Sequence, residues 1–146
     1  ASKDLRRART AFANIIPTTT GAAKATALVI PDLKGKIDGM AFRVPVVTGS
    51  VVDLTATLGQ NVTMDDVKNA FKAASDSDSW LGKVLEYTEE PIVSTDVIAS
   101  PYSSIIDGEA MMQMGDNMIK VITWYDNEWG YSSRLADLTA FVASKL

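Results

Sequence analysis

The sequence contains no cysteine and no histidine. Within these residues this excludes disulfides, thiolate nucleophiles, the commonest zinc ligands and the side chain that most often transfers protons near neutral pH. We therefore expect neither a catalytic residue nor a metal site here.

No apolar run reaches the roughly 18 residues that a membrane helix needs, and the first residues lack a signal-peptide pattern. A cytoplasmic protein that does not enter a membrane is expected.

The composition is that of an ordinary globular domain, with 47% apolar and 22% charged residues in a chain of 146. The net charge of −4 is unevenly placed, since residues 1–43 hold eight basic and three acidic residues whereas residues 44–146 hold six and fifteen. The basic beginning predicts an anionic partner. The acidic remainder argues against nucleic acid as that partner, although Arg6, Arg7 and Arg9 lie close together.

Apolar spacing and turn residues predict helices and short strands in succession. A helix is expected over 21–30, capped by Thr20 and ended by Pro31, and a second helix begins at the capping box of Thr63. Residues 37–47 and 50–58 alternate as strands on either side of Thr48-Gly49, which predicts a hairpin. Further strands are predicted at 84–87, 104–106, 110–114 and 118–125, with Gly108 between two of them, and a last helix from about Glu128.

This order predicts an α+β fold, with a mostly antiparallel sheet, helices packed on one face and a C-terminal helix. A parallel doubly wound sheet fits poorly, because the predicted turns are too short for crossover connections.

Residues 15–24, IIPTTTGAAK, place three threonines and a glycine before the first predicted helix. The N–H groups and partial positive charge of a helix N-terminus attract phosphate, and glycine lets an oxygen approach the backbone. Thr20 and Gly21 are therefore candidate phosphate ligands, with the guanidinium groups of Arg7 and Arg43 as candidate partners. The residues alone favour the alternative that Thr20 is a simple helix cap and that Arg43 is solvated.

Residues 124–132, WYDNEWGYS, join the last predicted strand to the last predicted helix. The carboxamide of Asn127 offers a donor and an acceptor that match an amide on a ligand, and an adjacent aromatic side chain could pack against a flat ring. The alternative is that Asp126 or Asn127 caps the helix while the aromatic residues anchor it. The acidic residues of 86–90 lack the spacing of metal ligands and predict a solvated surface.

Five segments occur together in an order found in one family: 4–9 (DLRRAR), 15–25 (IIPTTTGAAKA), 39–45 (GMAFRVP), 50–54 (SVVDL) and 124–132 (WYDNEWGYS). They are similar to segments of glyceraldehyde-3-phosphate dehydrogenase and extend over essentially the whole chain. The resemblance implies a glycolytic, phosphorylating enzyme that oxidises the aldehyde of glyceraldehyde 3-phosphate, passes hydride to NAD and releases an acyl phosphate by attack of inorganic phosphate.

The resemblance also implies roles for individual residues. Thr20 and Gly21 resemble the inorganic-phosphate site of the family, Arg43 lies between its two phosphate sites, and Arg7 resembles the arginine on the substrate-phosphate side.

The cofactor residues follow in the same way. Asn127 resembles the residue that holds the nicotinamide carboxamide, and Tyr131 lies close to that ring. Most of the NAD site belongs to a dinucleotide-binding domain that is not in this sequence.

The resemblance further divides the chain into an incomplete catalytic domain, 1–126, and a C-terminal helix, 127–146, that in the family packs on the dinucleotide-binding domain. The family's nucleophilic cysteine and basic histidine are absent, so we expect these residues alone to be inactive. Family members are homotetramers joined through this half, which implies homo-oligomers. The alternative is a truncated, non-catalytic module of the same family that binds phosphate or a protein partner.

Overall fold

The computed structural model describes residues 3–146. The chain divides into two units, the first ending at Val47 and the second comprising Thr48–Leu146. Residues 1 and 2, which the predicted catalytic domain 1–126 includes, lie outside the described residues. In the described part of the chain, no helix is long and apolar enough to cross a lipid bilayer.

A two-stranded ribbon and one helix form the regular structure of the first unit: β1 (Ile16–Thr19), α1 (Ala22–Val29) and β2 (Met40–Arg43), with 3-10 turns at Ala11–Ala13 and Pro31–Leu33. The alanine-rich sequence favours helix in α1. The helix ends just before Pro31, whose ring disfavours helical geometry in the preceding residue. The predicted helix over 21–30 is thus confirmed to within one residue at each end.

A four-stranded sheet organises the second unit, which contains β3 (Ser50–Thr57), α2 (Met64–Ser75), β4 (Leu85–Thr88), β5 (Ser104–Met114), β6 (Met118–Tyr125) and α3 (Trp129–Ala143). The strand order is β3-β6-β5-β4. β6 pairs antiparallel with both β3 and β5, and only β4 runs parallel to its neighbour β5. The predicted α+β class with a mostly antiparallel sheet and a C-terminal helix is therefore confirmed.

Helix α2 lies against β4 and β5 and closes the core of this unit. Its start is fixed by the predicted capping box, since the Thr63 hydroxyl accepts the N–H of Asp66 and the Asp66 carboxylate accepts the N–H of Thr63. Apolar residues at helical and strand spacing meet between the two layers. The buried members of this core are Val67, Leu85, Ile106, Met111, Ile119 and Val121.

The predicted hairpin between residues 37–47 and 50–58 is wrong. β2 pairs with β1, with Arg43 opposite Ile16, and β3 pairs with β6, with Ser50 opposite Tyr125. Both strands exist, but a short connection between two strands does not by itself make them pair with each other. Each of them instead bonds to a strand far away in the sequence.

Two further strands differ from the prediction. Residues 16–19 form strand β1, although no strand is predicted there from the sequence. The strands predicted at 104–106 and 110–114 are one strand, β5, and Gly108 lies inside it rather than in a turn. The break in the apolar pattern reflects a register shift between Asp107 and Met112, which is the behaviour of a β-bulge.

Candidate functional site

The candidate phosphate residues Thr20 and Gly21 lie immediately before α1. The Thr20 hydroxyl accepts the N–H of Ala22 at 3.1 Å, so it satisfies one of the donors that a helix start leaves unpaired. The capping position itself is Gly21, one residue later than predicted. The Thr20 hydroxyl therefore bonds to the first turn from one position before the cap, and Gly21 lies at the opening of the helix.

Nothing in the described residues requires glycine at position 21. Its φ of −88° is ordinary for any amino acid. A Cβ built there would meet no atom within 4 Å. The residue is exposed. The backbone at the start of α1 is therefore open to an approaching anion.

Arg43 is the last residue of β2 and lies opposite Ile16 of β1. Because side chains alternate along strands, the register places Arg43 on the face of the ribbon that carries Thr18, whereas Thr20 lies beyond the end of β1. The Arg43 side chain is exposed, and no carboxylate in the described part of the chain forms an ion pair with it. Its guanidinium group is available for an external anion.

Arg7 lies in the turn of residues 4–9. Its main-chain N–H donates to the Asp4 carboxylate at 3.2 Å, and its side chain is exposed. A cavity of about 430 Å³ beside this turn is lined by Arg6 and Arg9 but not by Arg7. Among the described residues, no hydrogen bond or ion pair joins the Arg7 side chain to Thr20, Gly21 or Arg43.

Asp126 controls the turn that leads from β6 into α3. It is buried, with 4% of its surface exposed. One carboxylate oxygen accepts the N–H groups of Glu128 and Trp129 at 2.9 Å each, and the other accepts the N–H of Ala99 at 2.8 Å. The bonds from Trp129 and Ala99 hold the pKa of this carboxyl below its usual value, although burial opposes the shift. The capping position of α3 is Glu128, two residues after Asp126, so neither predicted cap occupies it; of the two, Asp126 is the one whose side chain accepts N–H groups at the start of the helix.

Asn127 follows at the exposed surface. Its side-chain oxygen accepts from the Ser50 hydroxyl at 3.2 Å, and its amide nitrogen donates to the Glu128 carboxylate at 3.3 Å. An amide group has two N–H donors and two lone pairs, so one of each remains for a ligand. Tyr131, one turn into α3, is 70% exposed.

A cavity of about 300 Å³ adjoins both residues. It is lined by Ser103, Tyr125, Asp126, Asn127, Gly130, Tyr131 and Arg134. Ser103 and Arg134 are not among the residues predicted from the sequence. Arg134 follows Tyr131 at helical spacing, which was the available signal; Ser103 comes from a loop, and only the tertiary structure brings it here.

A separate cluster joins α2 to β4. Lys72 forms an ion pair with Glu89 at 2.8 Å and lies 5.1 Å from the centre of the Tyr87 ring, whose hydroxyl donates to Glu89. Burial, together with the nearby carboxylate of Glu89, raises the pKa of Tyr87 to about 12. In residues 3–146, no three acidic or other metal-binding side chains are grouped so that they could hold a metal ion.

Comparison with known proteins points to one family. Residues 1–127 match the family described as "Glyceraldehyde 3-phosphate dehydrogenase, C-terminal domain". A protein of Streptomyces coelicolor named glyceraldehyde-3-phosphate dehydrogenase is 58% identical over 144 residues, which are 99% of this chain and 43% of that protein. Glyceraldehyde-3-phosphate dehydrogenase 2 of Streptomyces avermitilis is 56% identical, and a Mycobacterium tuberculosis protein is 53% identical, each over 99% of this chain and 42% of the relative. The chain thus spans about two fifths of the length of these relatives.

Proposed function

The chain belongs to the glyceraldehyde-3-phosphate dehydrogenase family, and we propose that it supplies the phosphate-binding and nicotinamide-contacting residues of a glycolytic, phosphorylating, NAD-dependent enzyme. The observation that carries this proposal is the start of α1, where an exposed glycine with no crowding follows a threonine whose hydroxyl bonds to the first turn. The proposed ligands of these phosphate-binding residues are inorganic phosphate and glyceraldehyde 3-phosphate.

Phosphate binding is assigned to Thr20 and Gly21, with Arg43 and Arg7 as cationic partners. The N-terminus of α1 offers main-chain N–H groups and partial positive charge. Arg43 adds an exposed guanidinium group without a carboxylate partner among residues 3–146. A planar guanidinium group binds two phosphate oxygens at once.

A phosphate titration followed by amide NMR tests this assignment. We expect inorganic phosphate to shift the Gly21 and Ala22 amide signals, and Gly21→Ala and Arg43→Ala each to weaken binding at least about fivefold. Gly59→Ala is the matched control, because Gly59 is also exposed and uncrowded. Equal binding by the Gly21→Ala and Gly59→Ala proteins would overturn the assignment.

The nicotinamide end of NAD is assigned to Asn127 and Tyr131. The unused N–H and lone pair of the Asn127 amide fit a ligand carboxamide, and the rings of Tyr125 and Tyr131 border the adjoining cavity. NAD, when bound, supplies the acceptor for hydride. The remaining cofactor contacts are assigned to a dinucleotide-binding domain outside these residues.

The chemical step needs a thiol and a base, and the 146 residues contain neither cysteine nor histidine. We therefore propose that these residues alone are inactive and that 1–126 forms part of a catalytic domain. Residues 127–146 are proposed to pack on the dinucleotide-binding domain. The exposed apolar side chains of α3 support this last point: Tyr131, Leu135, Leu138, Phe141 and Val142 are at least half exposed.

A chimera tests the enzymatic part of the proposal. In it, residues 1–146 replace the matching part of the Streptomyces coelicolor relative, which then supplies the rest of the enzyme. We expect the chimera to form NADH from glyceraldehyde 3-phosphate only when phosphate is present, and the 146-residue chain to form none. An inactive but folded chimera would overturn the proposed function, and NADH formation by the chain alone would overturn its proposed inactivity.

The second candidate is a non-catalytic phosphate-binding or protein-interaction module. It predicts phosphate binding by the chain but no activity in the chimera.

Under the first candidate we further propose a cytoplasmic protein that forms homo-oligomers. Association is supported by the half-exposed apolar side chains of edge strand β3, which are Val51, Val52 and Leu54. Light scattering at several protein concentrations measures it, and a monomer at all of them would contradict it.

A further inference from the structure

Three contacts fasten the beginning of α3 to residues 99–103. Asp126, just before the helix, accepts the N–H of Ala99 at 2.8 Å. At Gly130 the helix comes so close to this segment that an added Cβ would lie 3.1 Å from the carbonyl oxygen of Tyr102. One turn later, Arg134 donates to the carbonyl of Pro101 and to the hydroxyl of Ser103, both at 3.1 Å.

The segment that receives these contacts is itself bonded to Val84, the residue immediately before β4. The N–H groups of Ser103 and Ser104 both donate to the carbonyl of Val84, at 2.8 and 3.3 Å. Ser104 is also the first residue of β5. The contacts of Arg134 therefore tie α3 to the sheet rather than to a free loop.

The guanidinium group of Arg134 is fixed in direction as well as in position. Its Nε donates to Asp137 at 2.9 Å and its Nη2 lies 2.6 Å from the same carboxylate oxygen, while Nη1 makes the two bonds to Pro101 and Ser103. The donors of a guanidinium group are coplanar. Asp137 therefore sets the plane in which Arg134 reaches residues 101–103.

Arg134 shares a face of α3 with Tyr131, and Asn127 lies two residues before the helix begins. Tyr131 lies three residues before Arg134, and Asn127 lies four residues before Tyr131. All three line the same cavity. A rotation of α3 about its own axis would move Arg134 and Tyr131 together and would displace the turn that carries Asn127.

We propose that Arg134 is a positioning residue, which fixes the rotation of α3 and so directs the Asn127 carboxamide and Tyr131 toward the nicotinamide group. This inference rests on the proposed function. It assigns to Arg134 no contact with substrate, phosphate or cofactor.

The first test uses the 146-residue chain without any ligand. We expect Arg134→Gln to shift the NMR signals of the Asn127 side-chain amide. The two amide proton signals should also move closer together, because the Asn127 side chain is no longer held in one orientation. Arg134→Lys keeps the positive charge but loses the planar set of guanidinium donors, so it should give an intermediate shift. Arg9→Gln is the control. Unchanged Asn127 side-chain signals in a folded Arg134→Gln protein would overturn the proposal.

The second test measures NAD affinity by calorimetry in the chimera. We expect Arg134→Gln to raise the dissociation constant about tenfold, because a ligand-binding group is displaced but not removed. If Arg134 acts through Asn127, the same change should have almost no effect in an Asn127→Ala background. An equal loss in both backgrounds would show a general structural role and overturn the proposal, whereas an inactive parent chimera overturns the proposed function instead.

Discussion

At the scale of single residues, Asp126 is a buried carboxylate whose partners are main-chain donors rather than cations. These bonds favour the ionised form, and the lowered pKa in the folded chain lies below the value of about 3.9 expected in the unfolded chain. The unfolded chain therefore takes up a proton first as the pH falls. The stabilisation is complete above about pH 4 and is lost as the pH drops through the folded pKa.

Asp126→Asn tests this linkage. We expect the free energy of unfolding near neutral pH to fall by about 2 kcal/mol, because the neutral amide is a weaker acceptor and offers only one oxygen. The loss of stability on acidification should also become shallower below about pH 4. Urea unfolding at several pH values measures both, with Asp78→Asn in an exposed loop as the control. An unchanged pH dependence would contradict the role given to Asp126.

Ala99 has a φ of +63°, a left-handed conformation that residues with a Cβ rarely adopt. The bond from its N–H to Asp126 holds it there. We expect Ala99→Gly to raise the free energy of unfolding by about 0.5–1 kcal/mol, because glycine has no steric penalty in this region. Chemical denaturation measures the change.

The matched control for that substitution is Ala73→Gly, at an exposed position of α2. There we expect a loss of about 1 kcal/mol, since glycine is unfavourable inside a helix. Changes of the same sign at both positions would refute the explanation from backbone conformation.

Sequence reasoning found residues whose chemistry follows from their neighbours along the chain. The capping box of Thr63 depends on a residue three positions away and could be predicted, whereas the cap of α1 lies one residue later than predicted, at Gly21, with the Thr20 hydroxyl bonded to Ala22. The position of Ala99 could not be predicted, because alanine carries no signal for a left-handed conformation. The roles of the candidate phosphate and cofactor residues remain predictions from resemblance and from local chemistry.

At the scale of elements, Gly108 shows why a glycine inside a strand was mistaken for a turn. It lies within β5 against the ring and hydroxyl of Tyr87, and a Cβ there would also lie 3.0 Å from the carbonyl oxygen of Thr88. The missing side chain makes room for a neighbouring strand. The glycine is visible in the sequence, but the close approach of β4 that requires it is visible only in the structure.

Gly108→Ala should therefore destabilise the second unit by about 1–3 kcal/mol, because Tyr87 and the backbone of β4 have to move. Gly59→Ala, where a Cβ meets no atom within 4 Å, should leave stability nearly unchanged. Thermal unfolding of the two variants measures the difference. Equal melting temperatures would contradict the close approach.

The helices and most strands could be predicted, whereas the partners of β2 and β3 could not. Periodicity along the chain shows that residues 50–57 form a strand, but both β2 and β6 offer a suitable pattern of alternating residues. The choice depends on which strand lies beside it once the sheet has formed. That information lies in long-range packing and not in the connection between residues 47 and 50.

At the scale of the whole molecule, the chain forms two units that meet in sequence after Val47. Val47 is 98% exposed. We expect limited proteolysis to cleave first near residues 44–48 and to leave a resistant product that begins close to Thr48, because exposed connections open at little cost. Mass spectrometry of the early products measures this.

The loop of residues 76–79 serves as the internal control, since it is also exposed in part but lies within the second unit. First cleavage in that loop, or simultaneous loss of both units, would contradict the division at Val47.

The pairing of β3 with β6 also has a consequence for biosynthesis. β3 ends at Thr57 and β6 ends at Tyr125, so at a translation rate of about 5–20 residues per second a ribosome needs roughly 3–14 seconds to add the missing partner. Until then β3 is a nascent strand with unpaired backbone groups and apolar side chains, which is a state that invites aggregation. Cells making this protein therefore have a defined interval in which a chaperone that shields extended apolar segments would raise the folded yield.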